Sequence, residues 1–188
     1  MNRYDQPRIE ALSDLKKALE DTAMTATDKP EFVYTTYIRT TPERLWQALT
    51  DPAFTRRYWG GVAFESDWRT GSTFTLELGG GDVKIADPAQ VVLESEPYRR
   101  LSYTWHTFTP EWAARYGVSG EHLARVAAER RSKVTFDIEP AGEMVKLTVV
   151  HDDFEPGSAV LGGIAEGWPR ILSGLKTLLE TGDLPPAG

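Results

Sequence analysis

Apolar and polar residues alternate with the two-residue period of β-strands over much of the chain. Glycine-rich turns separate several of these stretches, at 79–82 and again at 141–142. Successive strands joined by short turns favour an antiparallel sheet with one buried face. The predicted strands are 32–39, 73–78, 90–95, 99–106, 132–140 and 143–152.

Two short helices are predicted directly after the first strand. Thr41 and Asp51 each precede a proline, and this pattern is typical of an N-cap followed by the first helical residue. Gly60 and Gly61 are expected to end the second helix, because glycine readily adopts the left-handed conformation found after helix C-termini.

A much longer helix is predicted near the C-terminus. Gly182 is expected to end it, and Pro169 predicts either a kink or a helix that starts only near Glu166. The apolar residues that recur at helical spacing are Val160, Leu161, Ile164, Trp168, Ile171, Leu172, Leu175, Leu178 and Leu179.

Two further segments lie outside this pattern of strands and helices. Residues 6–20 carry an apolar stripe at helical spacing, and the polar stretch that follows is typical of a linker. Residues 109–131 are rich in Ala, Glu and Arg and predict an inserted helical segment, either a surface decoration or a movable cover. We therefore predict an N-terminal helix and linker at 1–30 and one domain at 31–184.

The composition of the chain limits which binding partners and which cellular compartment we expect. The chain has 188 residues, 40% of them hydrophobic, a formal net charge of -7 and no cysteine. The acidic balance argues against nucleic acid or an anionic membrane as the main partner, and the arginine doublets, such as 130–131, are expected to be solvated. The absence of apolar runs of membrane-spanning length predicts a cytoplasmic protein.

Three motifs resemble a known superfamily. They are TTPERLWQALTDPAFTRRYWGG with the following DWRTGSTF, then EPYRRLSYTWH, and finally VVHDDFEP with GWPRILSGLKTLLETG. They resemble the START-like superfamily SRPBCC, and more narrowly the bacterial AHSA-type proteins related to the activator of heat-shock protein 90 ATPase. The resemblance covers about residues 31–184.

The resemblance implies an α+β helix-grip fold. A curved antiparallel sheet would wrap around a long C-terminal helix, two short helices would follow the first strand, and a cavity would lie between the sheet and the long helix. Members of the superfamily bind lipids, hormones or polyketides, some are cyclases or dehydratases, and the eukaryotic namesake stimulates a chaperone ATPase in the stress response.

The aromatic residues of the predicted sheet and helix are candidates for lining that cavity, because ligand sites are mostly apolar with a few convergent polar groups. Tyr103, His151 or Arg69 would orient the polar end of a ligand. For Arg69 the sequence favours the alternative interpretation, a turn residue that stacks on Trp68. The candidate lining residues are Trp59, Arg69, Phe74, Tyr103, Trp105, Phe136, His151, Trp168 and Leu172.

Signals for catalysis or for a metal are weak. The three histidines, His106, His122 and His151, form neither HxxxH nor HExxH, so no metal and no cofactor is predicted. Ser119 and Ser158 lie beside glycine but fit helix caps better than nucleophiles. No residue is assigned a catalytic role.

Three functions stay open at this point. The first is binding of a small apolar or amphipathic molecule in the cavity, by a monomer or a homodimer. The second is a protein-binding module that modulates a chaperone. The third, less favoured, is a cofactor-free cyclase or dehydratase in which His151 or His106 moves protons.

Overall fold

The computed structural model describes residues 29–183, and the helix predicted at 6–20 lies outside the described residues. None of the helices in this part of the chain is both long enough and apolar enough to cross a membrane. The elements are β1 (Phe32–Ile38), α1 (Pro42–Thr50), α2 (Pro52–Tyr58), β2 (Ala63–Glu65), β3 (Thr73–Leu78), β4 (Val83–Glu96), β5 (Arg100–Thr104), α3 (Pro110–Tyr116), α4 (Gly120–Ala128), β6 (Lys133–Ala141), β7 (Met144–Asp152) and α5 (Ala159–Thr181).

The strands form one seven-stranded antiparallel sheet in the order β1-β7-β6-β5-β4-β3-β2. The first strand thus pairs with the last one, and the long helix α5 packs on the curled sheet. The predicted α+β helix-grip architecture is confirmed, including the two short helices after β1.

The predicted helix caps are present. The side chain of Thr41 accepts a hydrogen bond from the backbone N–H of Arg44, and that of Asp51 accepts one from Ala53. Ser119 and Ser158 cap α4 and α5 in the same way. These short side chains satisfy backbone donors that the first helical turn leaves unpaired, and so they fix where each helix begins.

Helix α5 runs without interruption through Pro169, so the alternative start near Glu166 is wrong. Its first turns are stabilised from outside the helix, because the carboxylate of Glu129 binds Ser158 and the backbone N–H of Ala159. Val160 and Ile164 are also buried in this half of the helix. These contacts offset the backbone hydrogen bond that the proline removes.

Strand β4 is longer than the sequence predicted, since it begins at Val83 and not near residue 90. Asp87 and Pro88 break the alternation that would have revealed its first half. The pairing with β3 jumps from Ala86 to Val91, so residues 87–90 form an irregular bulge. The short strand β2 was not predicted, because three residues are too few to show a period.

The register decides which side chains face α5. Directly paired residues of neighbouring strands share a face, and Tyr103, Val134 and His151 form one such row across β5, β6 and β7. All three are buried, and His151 contacts Trp168 of α5. The buried row therefore faces α5 and is part of the core.

A substitution at Leu172 tests whether the middle of α5 belongs to the packed core. The residue is 1% exposed, so Leu172→Ala should lower the free energy of unfolding by about 2–5 kcal/mol through lost apolar burial and the cavity left behind. Urea unfolding followed by circular dichroism measures the change. Leu93→Ala, at an exposed position of β4, is the control, and a similar small loss in both variants would contradict the packing of Leu172.

Candidate functional site

The space between the sheet and α5 is occupied by aromatic side chains that contact one another. The indole of Trp168 lies at the centre, with ring-centroid distances of 5.2 Å to Trp59, 5.8 Å to Trp105 and 5.7 Å to Phe136. Tyr103 continues the group, 5.9 Å from Phe136. Ring pairs at these distances attract one another beyond simple apolar burial. We call these side chains, together with Phe74, the aromatic cluster.

The aromatic cluster brings together six of the candidate lining residues: Trp59, Phe74, Tyr103, Trp105, Phe136 and Trp168. His151 adjoins it, since its ring centroid lies 4.6 Å from that of Trp105. Burial raises the pKa of the Tyr103 hydroxyl well above its usual value, so this group is neutral.

Arg69 lies elsewhere, in an open groove of about 530 Å³ that Trp46, Trp68 and Pro97 help to line. Its side chain is 84% exposed and pairs only loosely with Asp67, at 3.9 Å. The backbone N–H of Arg69 donates to the carboxylate of Asp67, as expected for a residue that closes a turn. The structure therefore separates Arg69 from the aromatic cluster.

A hydrogen-bonded chain of side chains runs from Trp168 through His151 to Ser132. The indole N–H of Trp168 can only donate, so Nδ1 of His151 accepts this hydrogen bond, at 3.1 Å. Burial, and secondarily the neighbouring His106, lower the pKa of His151 to about 3, which keeps the ring neutral near pH 7. A neutral ring then carries its proton on Nε2 and donates it to Ser132 Oγ, 2.9 Å away.

The two ring nitrogens of His106 have the opposite hydrogen-bonding roles to those of His151. Its Nδ1 lies 2.9 Å from the carbonyl oxygen of Thr107, and because a carbonyl can only accept, Nδ1 carries the proton. Burial lowers the pKa of His106 to about 4 against the effect of that hydrogen bond, and the charge of Arg131 lowers it further. Nε2 of the neutral ring is consequently a hydrogen-bond acceptor.

His106 and Ser132 line the same concave site, which we call the His106 pocket. It has a volume of about 180 Å³ and lies where the end of β5, helix α4 and the start of α5 meet. Its walls are mixed, with five apolar residues and six polar or charged ones. The lining residues are Trp105, His106, Thr107, Phe108, Val126, Ala127, Glu129, Arg130, Arg131, Ser132 and Val160.

One wall of the His106 pocket is held by the bulge of β4. Gln90, which is fully buried, accepts a hydrogen bond from the backbone N–H of Thr107 at 2.8 Å. Asp87 binds the Thr107 hydroxyl at 2.6 Å and the guanidinium of Arg131 at 3.1 Å. The same guanidinium donates to the carbonyl of Trp105 at 2.6 Å. Arg131 therefore joins two loops. The prediction that the arginine doublet at 130–131 is solvated is wrong for this residue.

The opposite wall is tied to the long helix. Glu129 accepts hydrogen bonds from Ser158 and from the backbone N–H of Ala159, at 2.5 and 2.6 Å. The guanidinium of Arg130 donates to the carbonyls of Asp153 and Phe154. The inserted segment at 109–131 is thus fastened at its C-terminal end to the loop that leads into α5.

Sequence reasoning named His106 only as a possible base and missed Ser132, Gln90 and Glu129 as parts of this site. The interrupted alternation at Asp87 is a local signal that could have indicated an irregular stretch of strand, and it was not used. Within residues 29–183, no three His, Cys, Asp or Glu side chains are grouped so that they could hold a metal ion.

A model of the family described as "Activator of Hsp90 ATPase homolog 1-like protein" matches residues 39–180, which is more than half of the chain. The chain belongs to this family. The family lies within the SRPBCC superfamily, whose members typically bind ligands.

Solved structures share the fold of this Hsp90 ATPase activator homolog 1-like domain. Protein MLL2253 from Mesorhizobium loti is 28% identical, with a TM-score of 0.60, over 82% of this chain and 100% of that one. The Aha1 dimer from Colwellia psychrerythraea is 18% identical, with a TM-score of 0.59, over 81% and 98%. CalU16 from Micromonospora echinospora is 20% identical, with a TM-score of 0.56, over 83% and 77%. A comparison with the curated proteins found no match.

The buried histidines predict a specific dependence of stability on pH. In the unfolded chain His106 takes up a proton as the pH falls below 6.5, whereas the folded chain resists protonation until about pH 4. Stability is therefore lost as the pH falls through this window. His106→Asn, which can keep the hydrogen bond to Thr107, should lose less stability between pH 7 and pH 4.5 than the wild type, by on the order of 2 kcal/mol.

Urea unfolding at the two pH values measures this difference. His122→Asn removes an exposed histidine of α4 and serves as the control that should keep the wild-type dependence. Equal losses in His106→Asn and the wild type would show that His106 is protonated as easily in the folded chain as in the unfolded one.

Proposed function

We propose that this chain binds a small, largely apolar molecule in the His106 pocket. The observation that carries the proposal is the combination of apolar side chains, among them Trp105 and Val126, with two polar atoms whose hydrogen-bonding roles are fixed. The pocket is lined both by Trp105, which follows β5, and by Val160 in the first turn of α5. It therefore borders the sheet–helix interface in which the resemblance leads us to expect a ligand.

The size and the rigidity of the pocket support the proposal. Its volume of about 180 Å³ compares with the roughly 150 Å³ of an apolar protein cavity that takes up benzene. Gln90 and Arg131 hold the loop that carries His106, so little ordering would accompany binding. A pre-formed site retains more of the free energy of apolar contact as affinity.

The geometry argues against catalysis by a Ser132–His151 pair. A general base must accept the proton of the hydroxyl group that it activates. Nε2 of His151 already carries a proton, because Trp168 donates to the other nitrogen. His151 is therefore a donor to Ser132 and positions it, and the cyclase or dehydratase hypothesis loses one of its two candidate bases.

The family description supports a second candidate function, the modulation of a chaperone ATPase through protein contact. The open groove beside Trp46 and Arg69 offers aromatic and charged groups to a partner. The ATPase rate of purified Hsp90 with and without this chain tests that hypothesis. An unchanged rate at saturating chain would remove it, and an increase that Arg69→Glu abolishes would support it.

Titration of the ¹⁵N-labelled chain with toluene tests ligand binding directly. We expect chemical-shift changes centred on the indole N–H of Trp105 and on residues near Val126. Val126→Phe should abolish them, because the larger side chain fills a buried position in the pocket wall. Val33→Phe, the same change on the exposed face of β1, should leave them intact.

Overpacking at Val126 costs about 1–3 kcal/mol of stability. Ala127→Phe at the exposed rim therefore provides a second blocking variant that does not disturb the core. Saturable toluene binding that neither blocking variant weakens would overturn the proposed location. The absence of any shift at Trp105 in the wild type would overturn the proposed function.

A further inference from the structure

We infer that the His106 pocket selects a neutral ring that carries a hydroxyl group, with Ser132 as hydrogen-bond donor and His106 as hydrogen-bond acceptor. The inference rests on the proposed function and specifies the chemical class of its ligand. A phenol or a cyclic alcohol of one-ring size has this chemistry.

Ser132 contributes a free hydroxyl proton. Its Oγ is the acceptor in the hydrogen bond from Nε2 of His151, as the indole of Trp168 requires. Within residues 29–183, Ser132 Oγ makes no other hydrogen bond, so its own O–H has no acceptor there. A hydroxyl oxygen in the pocket is a suitable acceptor for it, since Ser132 lines the pocket while being only 4% exposed.

His106 contributes the complementary lone pair. Its Nδ1 proton is committed to the carbonyl of Thr107, which leaves Nε2 as an acceptor that has no hydrogen-bond partner among the described residues. A hydroxyl group both donates and accepts, so it is the smallest neutral group that matches the two pocket atoms. A bound ring without a hydroxyl group would cover both polar atoms and give neither of them a hydrogen-bond partner. Burying unpaired polar atoms in this way costs free energy of binding.

The charged residues of the pocket wall are occupied by partners in the protein. The guanidinium of Arg131 is paired with Asp87 and with two oxygen atoms of the 105–107 loop. Arg130 is directed to the carbonyls of Asp153 and Phe154. Glu129 adds a negative charge to the same wall. A carboxylate ligand would therefore lose its hydration without gaining a free cation, whereas a neutral hydroxyl group avoids this cost.

The rings around the pocket favour a flat ligand. Trp105 and His106 lie 5.2 Å apart between ring centroids, and Phe108 follows at 4.7 Å from His106. Trp112 extends the row, 4.9 Å from Phe108. Aromatic rings contact one another favourably at these distances, so a planar ring packs against this wall better than a branched aliphatic group of equal volume.

Three probes of nearly equal size test the selection: toluene, p-cresol and benzoate. Dissociation constants are measured at pH 7 by the NMR titration described above, for the wild type and three variants. We expect p-cresol to bind about tenfold more tightly than toluene, as one or two net hydrogen bonds imply, and benzoate to bind more weakly than either.

Ser132→Ala and His106→Asn should each bring the affinity for p-cresol down towards that for toluene, because each removes one of the two polar partners. Ser132→Ala also leaves Nε2–H of His151 without an acceptor, so its folding is checked by the dispersion of the NMR spectrum, and His106→Asn gives the independent reading. His122→Asn, on the exposed side of α4, should retain the full preference for p-cresol.

The outcomes separate the two proposals. Binding of neither toluene nor p-cresol means that the proposed function itself fails. Equal affinity for toluene and p-cresol, or tighter binding of benzoate, overturns the inference while leaving ligand binding intact. A preference for p-cresol that survives in both Ser132→Ala and His106→Asn also overturns it, because other atoms would then recognise the hydroxyl group.

Discussion

The hydrogen bond between the indole of Trp168 and His151 connects the packing of this protein to its polar chemistry. An indole N–H buried between a sheet and a helix needs an acceptor, and the one supplied here is a histidine from the last strand. That requirement fixes the tautomer of His151, which in turn fixes the direction of the hydrogen bond to Ser132. A side chain that packs in the core therefore determines which atom of a surface pocket is a donor.

The architecture could be predicted from the sequence because its signals are local. Alternation revealed the strands, and the caps at Thr41, Asp51, Ser119 and Ser158 marked the helix starts within a residue. The aromatic residue types of the interior were also evident. Which rings meet was not, because a shift of one residue in register exchanges the two faces of a strand, and register is set by pairing between distant segments.

The His106 pocket could not be predicted from local sequence patterns. Its walls depend on contacts between residues far apart in the chain, such as Asp87 with Arg131 and Glu129 with the start of α5. Charged residues of this kind have the same sequence pattern whether they are solvated or bound to a loop. Gln90 shows the same problem, since nothing in its neighbourhood distinguishes a fully buried amide from an exposed one.

The attachment of Glu129 to the start of α5 has a kinetic consequence. Glu129 directly follows α4, so an outward displacement of this helix would break the carboxylate contacts with Ser158 and Ala159. Loss of such a cap typically costs about 1 kcal/mol, and the exposed helix end then frays more easily. For a molecule bound as proposed, exchange by way of such a displacement would be coupled to fraying of the longest helix, and residence time and local helix stability would then rise and fall together.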